Sequence, residues 1–183
     1  MNVTDWAKSW SESKFANTFF IKEPVNSFSS LAMALYVIKT LNRTISIQNL
    51  LKFSIVFNLL SSFVAHATYN HTAIFLDGFS MIIPILLIII KYEYFLAAIF
   101  DCGLSFYNFN YSFAFGLLIV IYILNDKIKH QEKFEKGIYL MIVAILCWIL
   151  DTNFHYFWFL FGHAFWHVLM SIGILNFIES VDW

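Results

Sequence analysis

Ala73-Ile-Phe-Leu-Asp-Gly-Phe-Ser-Met-Ile-Ile-Pro-Ile-Leu-Leu-Ile-Ile-Ile-Lys91 is a run of nineteen residues whose only charges are Asp77 and the closing Lys91. A helix needs about 20 apolar residues to cross the hydrocarbon core of a bilayer. A helix that is apolar on every side is either buried in protein or sits in lipid. Asp77 lies near the start of this run, at a depth where an ionisable group is costly and tends to mark a site. Pro84 lies inside it, removes one backbone donor and predicts a kink.

Outward from this stretch the pattern repeats. Seven apolar segments are expected as spans, at Pro24–Leu41, Gln48–Thr68, Ala73–Lys91, Tyr92–Tyr107, Tyr111–Asp126, Gly137–Thr152 and Phe159–Ile178. The fourth and fifth are short and separated only by Asn108, Phe109 and Asn110. Composition agrees: 60% of the 183 residues are hydrophobic and 13% are charged, where a soluble domain carries roughly 25%. The expected fold is all-α, a seven-transmembrane-helix bundle formed by one domain over residues 1–183, with residues 1–23 a polar tail. No apolar core followed by a small-residue cleavage site opens the chain, so no cleaved signal peptide is expected. Cys102 and Cys147 lie in apolar segments without a CxxC spacing and read as free thiols. A net charge of −1 without a basic stripe gives no reason to expect a nucleic-acid partner. Nothing in the pattern specifies an oligomeric state.

Basic residues suggest the orientation. Lys8, Lys14 and Lys22 share the side of the N-terminus; Lys39, Arg43, Lys52, Lys91, Lys127, Lys129, Lys133 and Lys136 fall on the other, which is expected to be cytoplasmic. The N-terminus then faces the periplasm, lumen or exterior, and the C-terminus faces the cytoplasm. In this arrangement Ser62 and His66 at the end of the second span, Asp77 near the start of the third, and His163 and His167 near the start of the seventh all come to the outer leaflet. Glu23 opens the first span at the same level.

The spacing matters chemically. Residues four apart share a helix face, so His163 and His167 offer two imidazoles on one helix and His66 a third from another. Three imidazoles with an open fourth position are a catalytic zinc pattern. Asp77 is placed to act as general base for a zinc-activated water and then as acid for the leaving group. Ser62 is placed to donate to a developing oxyanion. A lone HxxxH in an apolar helix is more often packing; His66 and Asp77 at the same level tip the balance toward a metal. Haem held by two histidines would leave Ser62 and Asp77 without a role. His71 and His155 read as interfacial, and His130 as solvated.

At Glu23-Pro-Val-Asn-Ser-Phe-Ser, Ser62-Phe-Val-Ala-His66, Leu76-Asp77-Gly-Phe-Ser-Met81, Cys147-Trp-Ile-Leu-Asp151 and His163-Ala-Phe-Trp-His167 the chain resembles the alkaline ceramidases. These belong to a superfamily of seven-helix membrane hydrolases that also includes the progestin/adipoQ receptors. The motifs follow in the same order across almost the whole chain. The resemblance implies a zinc-dependent amidase that cleaves the N-acyl bond of a sphingolipid, with zinc on His66, His163 and His167 and with Asp77 and Ser62 catalytic. The membrane lipid substrate, ceramide or a similar N-acyl lipid, comes from the resemblance alone.

The same resemblance implies a calcium site in the tail, and here the chain departs from the pattern. Aligning Trp10 with the family's tryptophan places Glu12 and Glu23 at ligand positions, but Ser9 replaces an aspartate and Lys14 an asparagine. Calcium wants several hard oxygen ligands, so Ser9 and Lys14 disfavour it. Lys14 is instead expected to form a salt bridge between Glu12 and Glu23. Asp151 has two readings, a partner for the second nitrogen of a ligand histidine or a helix-terminal polar residue. Trp166 reads as lining the pocket or facing lipid, and Asn26 as bonding in the core near Glu23. Phe19, Phe20, Phe157, Trp158 and Phe159 are expected at the membrane boundary. Two alternatives stay open: hydrolysis of another membrane lipid amide or ester, and a non-catalytic lipid receptor with a bound zinc.

Overall fold

The structure, a computed structural model, describes residues 20–107, 109–154 and 161–183. These form seven helices: α1 (Pro24–Lys39), α2 (Ile47–Thr68), α3 (His71–Lys91), α4 (Phe95–Tyr107), α5 (Phe109–Leu124), α6 (Gln131–Phe154) and α7 (Gly162–Ser180). Among the described residues there is no β-strand beyond one isolated bridge, between Ile128 and Val181. By length and composition α2 and α3 are able to cross a membrane.

Local chemistry sets the helix ends. Pro24 occupies the first turn of α1, where its missing N–H costs nothing. Ser46 caps α2 through its hydroxyl, and Asn70 caps α3 by accepting from the N–H groups of Thr72 and Ala73. α3 is broken, as Pro84 predicts. It runs as α3a (His71–Ser80) and α3b (Ile83–Lys91), with a turn between them and the proline in the first turn of the second half. The break falls ahead of the proline because the bond that Pro84 cannot make is to the carbonyl four residues earlier, at Ser80. α6 begins at Gln131, six residues before the expected span, because a helix extends past its apolar stretch into Gln131-Glu-Lys-Phe-Glu-Lys136.

Packing divides the bundle unevenly. α6 packs most extensively on α7, α1 packs on α2 and α7, and α3a packs on α2. The α4–α5 pair meets the rest chiefly through α3b. Small residues allow the α6–α7 approach: a Cβ on Gly137 would stand 2.9 Å from the Gly173 carbonyl oxygen, and one on Gly173 2.8 Å from Met141 Cγ. The main core is aliphatic, with Val37, Leu51, Ile89, Leu124 and Ile178 almost wholly buried. At the end where α2 begins, Lys52 reaches the Thr40 carbonyl at 3.1 Å and Glu179 at 3.4 Å, and Lys133 closes on Glu179 at 3.0 Å. This cluster joins α2, α6 and α7 at the end opposite the histidines.

Candidate metal centre

Four helix ends bring the site together. α2 ends, α3a begins and α7 begins at one end of the bundle, and α1 begins there too. The backbone just before α1 runs along the end of α2: Lys22 N–H donates to the Ala67 carbonyl at 3.1 Å and Glu23 N–H to the His66 carbonyl at 3.0 Å. This rung delivers the Glu23 carboxylate to His66.

His66, His163 and His167 are buried, and a ligand atom from each lies within 4.8 Å of the others. The Nε2 atoms of His66 and His163 are 3.2 Å apart. Two nitrogens at tetrahedral zinc, each about 2.05 Å from the metal, stand about 3.3 Å apart. The other ring nitrogens reveal the tautomers. Glu23 Oε2 takes the Nδ1–H of His66 at 2.5 Å, which leaves Nε2 with a lone pair facing His163. Nδ1 of His167 lies 2.9 Å from both Ser29 Oγ and Ser30 Oγ. Each of those hydroxyls donates to the Asn26 carbonyl at 2.9 Å. With those hydrogens on the Asn26 carbonyl, the two oxygens face His167 Nδ1 as acceptors, the arrangement that assigns its proton to Nδ1 and leaves Nε2 bare. The residues present fit a metal ion: three imidazoles, two of them oriented by acceptors on the far nitrogen, as metal-ligating histidines require. Among the described residues no fourth side chain joins the group.

Ser62 and Asp77 border this centre. Ser62 Oγ is 3.3 Å from His167 Nε2 and 3.3 Å from Ser30 Oγ, and the Asp77 carboxylate lies beside it. Asn58, one turn before Ser62, donates to the Asp77 carbonyl at 3.1 Å and to its carboxylate at 3.4 Å, and reaches Ser80 Oγ at 2.9 Å. Asp77 is thus fastened to α2 rather than to the far half of its own helix.

The remaining expected residues are placed as follows. Glu23 is fully buried, with its carboxylate bonded to His66, Asn26 and Tyr69 inside the bundle. Ser9, Glu12 and Lys14, on which the calcium and salt-bridge expectations rest, lie outside the described residues, as do Phe19, His155, Phe157, Trp158 and Phe159. Asn26 Nδ2 donates to Glu23 at 3.0 Å. Asp151 is buried against Gly162, where an added Cβ would stand 2.9 Å from the Asp151 Cβ. Its carboxyl therefore sits beside the residue that precedes His163. Trp166 packs against Trp148 and Phe113, with ring centroids 6.0 and 6.4 Å away. With His167, Asn58, Met81, Pro84 and Met170 it lines a small cavity of about 40 Å³. Both cysteines are free and half-buried.

Sequence reasoning passes over Ser29, Ser30, Asn58 and Tyr69. Asn58-x3-Ser62-x3-His66 is a polar stripe at helical spacing, and reading one turn back from Ser62 finds it. The serines lie in the already conspicuous Asn26-Ser-Phe-Ser-Ser30. Tyr69 gives no signal in the sequence.

What fold and site define is a helical bundle with a buried three-histidine centre flanked by a serine and an aspartate. No family model, curated protein or solved structure matches the chain.

Proposed function

We propose that this is a multi-pass membrane protein and a zinc-dependent lipid amide hydrolase, of ceramidase type, cleaving an N-acyl sphingolipid into a fatty acid and a long-chain base. The observation that carries the reading is the histidine triad with Ser62 Oγ 3.3 Å from His167 Nε2 and the Asp77 carboxylate beside Ser62 at its edge. A purely structural zinc site has four protein ligands and needs no neighbouring base. The resemblance of the motifs to alkaline ceramidases supports the substrate class.

The membrane reading draws on an inverted polarity. Glu23, Asn26, His66, Asp77 and Asp151 are buried, while Phe53, Phe57, Leu96, Ile99, Phe100, Leu118, Tyr122 and Phe165 lie on the outside. Apolar patches of that extent mark contact with lipid or a partner. Seven spans, with the histidine end outward and the Lys52–Glu179 end cytoplasmic, fit the distribution of basic residues.

Zinc held by the three imidazoles supplies Lewis acidity and an activated water at neutral pH. The chain's own groups do the rest. Asp77 accepts the proton of the attacking water and returns it to the departing amine. Ser62, between Asp77 and His167, donates to the carbonyl oxygen as charge develops there. Glu23 and the Ser29–Ser30 pair hold two imidazoles in the tautomer that leaves Nε2 facing inward. The lipid amide reaches these groups at the end of the bundle while its chains remain among apolar side chains.

The test pairs elemental analysis of purified protein in detergent with hydrolysis of a fluorescent ceramide, for wild type and His163→Ala. Zinc near one per chain, lost together with turnover in the variant, is the expected result. Zinc without turnover would move the substrate to another lipid amide or ester, or favour a lipid receptor. Protein without zinc would sink the metal reading.

A further inference from the structure

Tyr69 closes α2 in an unusual way. Its backbone is left-handed, with φ 55° and ψ 27°, and among the described residues only Glu93 shares a positive φ without being glycine. A side chain makes this region unfavourable, and a residue stays there when its surroundings hold it. Three contacts do so. The Tyr69 N–H bonds to the Ala65 carbonyl at 2.9 Å. The ring packs on the small apolar cluster of Ala65, Ala73 and Ile74. The hydroxyl donates to Glu23 Oε1.

That last bond completes a division of labour on one buried carboxylate. Oε2 of Glu23 accepts from His66 Nδ1–H and from Asn26 Nδ2. Oε1 is taken by Tyr69. A carboxylate turns easily about its last torsion. If Glu23 turned, His66 Nδ1–H would lose its acceptor, and the ring would no longer be fixed with Nε2 toward His163. Donors on both oxygens prevent that rotation.

We propose that Tyr69 is a positioning residue for the metal centre, acting through Glu23 to hold His66 in its ligating orientation. This rests on the metal reading above. The role differs from that of a helix cap or a packing residue because its effect passes through a named carboxylate to a named nitrogen.

The test uses the full chain in detergent, loaded with cobalt(II) in place of zinc. Visible absorption reports the ligand geometry, and competition against a chelator reports affinity. Tyr69→Phe, which removes one oxygen, is expected to weaken metal binding about 10- to 100-fold, the usual cost of losing an outer partner of a ligand, and to alter the cobalt spectrum. Tyr139→Phe, an exposed tyrosine on α6, should change neither. Because the path runs through Glu23, adding Tyr69→Phe to Glu23→Gln should cost little further affinity. Wild-type affinity and spectrum in Tyr69→Phe would overturn the proposal while leaving the metal site standing. Full additivity of the two substitutions would overturn it too, by showing that Tyr69 acts independently of Glu23. Wild-type protein that takes up no cobalt would overturn both this role and the metal reading.

Discussion

Asp77 and Asp101 are both buried carboxylates in apolar helices, and they keep different company. Asp77, on α3a, accepts from Asn58 of α2 and lies beside Ser62 and His66 of the same helix. Asp101, on α4, accepts from Ser112 of the next helix at 2.9 Å, and its Oδ2 has no hydrogen-bond partner among the described residues. The first is met by an amide, a hydroxyl and an imidazole of the neighbouring helix, the second by a single serine. Burial of a polar group is costly in both places. Only Asp77 borders a centre to which several elements contribute groups with complementary chemistry, and that convergence marks a site more strongly than burial does.

The contrast can be broken most forcefully at the ligands. His163→Ala should take zinc from about one per chain to near none, since two imidazoles remain of a three-ligand set, and hydrolysis should disappear with it. Asp101→Asn should leave zinc content unchanged in the same elemental analysis; zinc loss there would erase the distinction. Asp77→Asn should keep the metal while turnover falls about 10²- to 10⁴-fold, the range for a lost general base. A turnover assay normalised to bound zinc measures this.

Smaller effects sharpen the comparison. Gly162→Ala puts a Cβ 2.9 Å from the Asp151 Cβ and 3.0 Å from the Cys147 carbonyl oxygen. Overpacking of this kind costs about 1–3 kcal/mol, readable as a lower unfolding midpoint in detergent, and it should disturb zinc affinity because His163 is the next residue. Ser112→Ala removes one hydrogen bond to Asp101 and should cost about 0.5–1.5 kcal/mol in the same unfolding measurement, with no change in zinc.

Much of this was legible in the sequence. The apolar runs predicted the helices, and Pro84 predicted the break in α3. The four-residue spacings of Ser62 with His66 and of His163 with His167 placed each pair on one face, and counting helices brought them to one end. The histidine cluster follows from these alone. The orienting groups were harder to see. Serine in an apolar helix ordinarily bonds to a carbonyl one turn back, as Ser27 does with Glu23. Ser29 and Ser30 also donate to a nearby carbonyl, and nothing local distinguishes oxygens that additionally accept from His167. The inward role of Glu23 depends on the rung between residues 22–23 and the end of α2, a contact across more than forty positions. Tyr69 depends on a backbone conformation that its own residue type disfavours.

The interruption of α3 has a mechanical consequence. A continuous rod would carry any tilt of α4 and α5 straight to Asp77. Here Ile83–Lys91 packs on that pair, while His71–Ser80 is clamped to α2 by Asn58. The joint at Met81 and Ile82 lies between them. If α4 and α5 cross a bilayer, as proposed, they would tilt as it thins or thickens, and a joint at this place would act as a coupling between two shafts. On the membrane reading proposed above, the break would keep Asp77 and the histidines apart from any tilt of the α4–α5 pair.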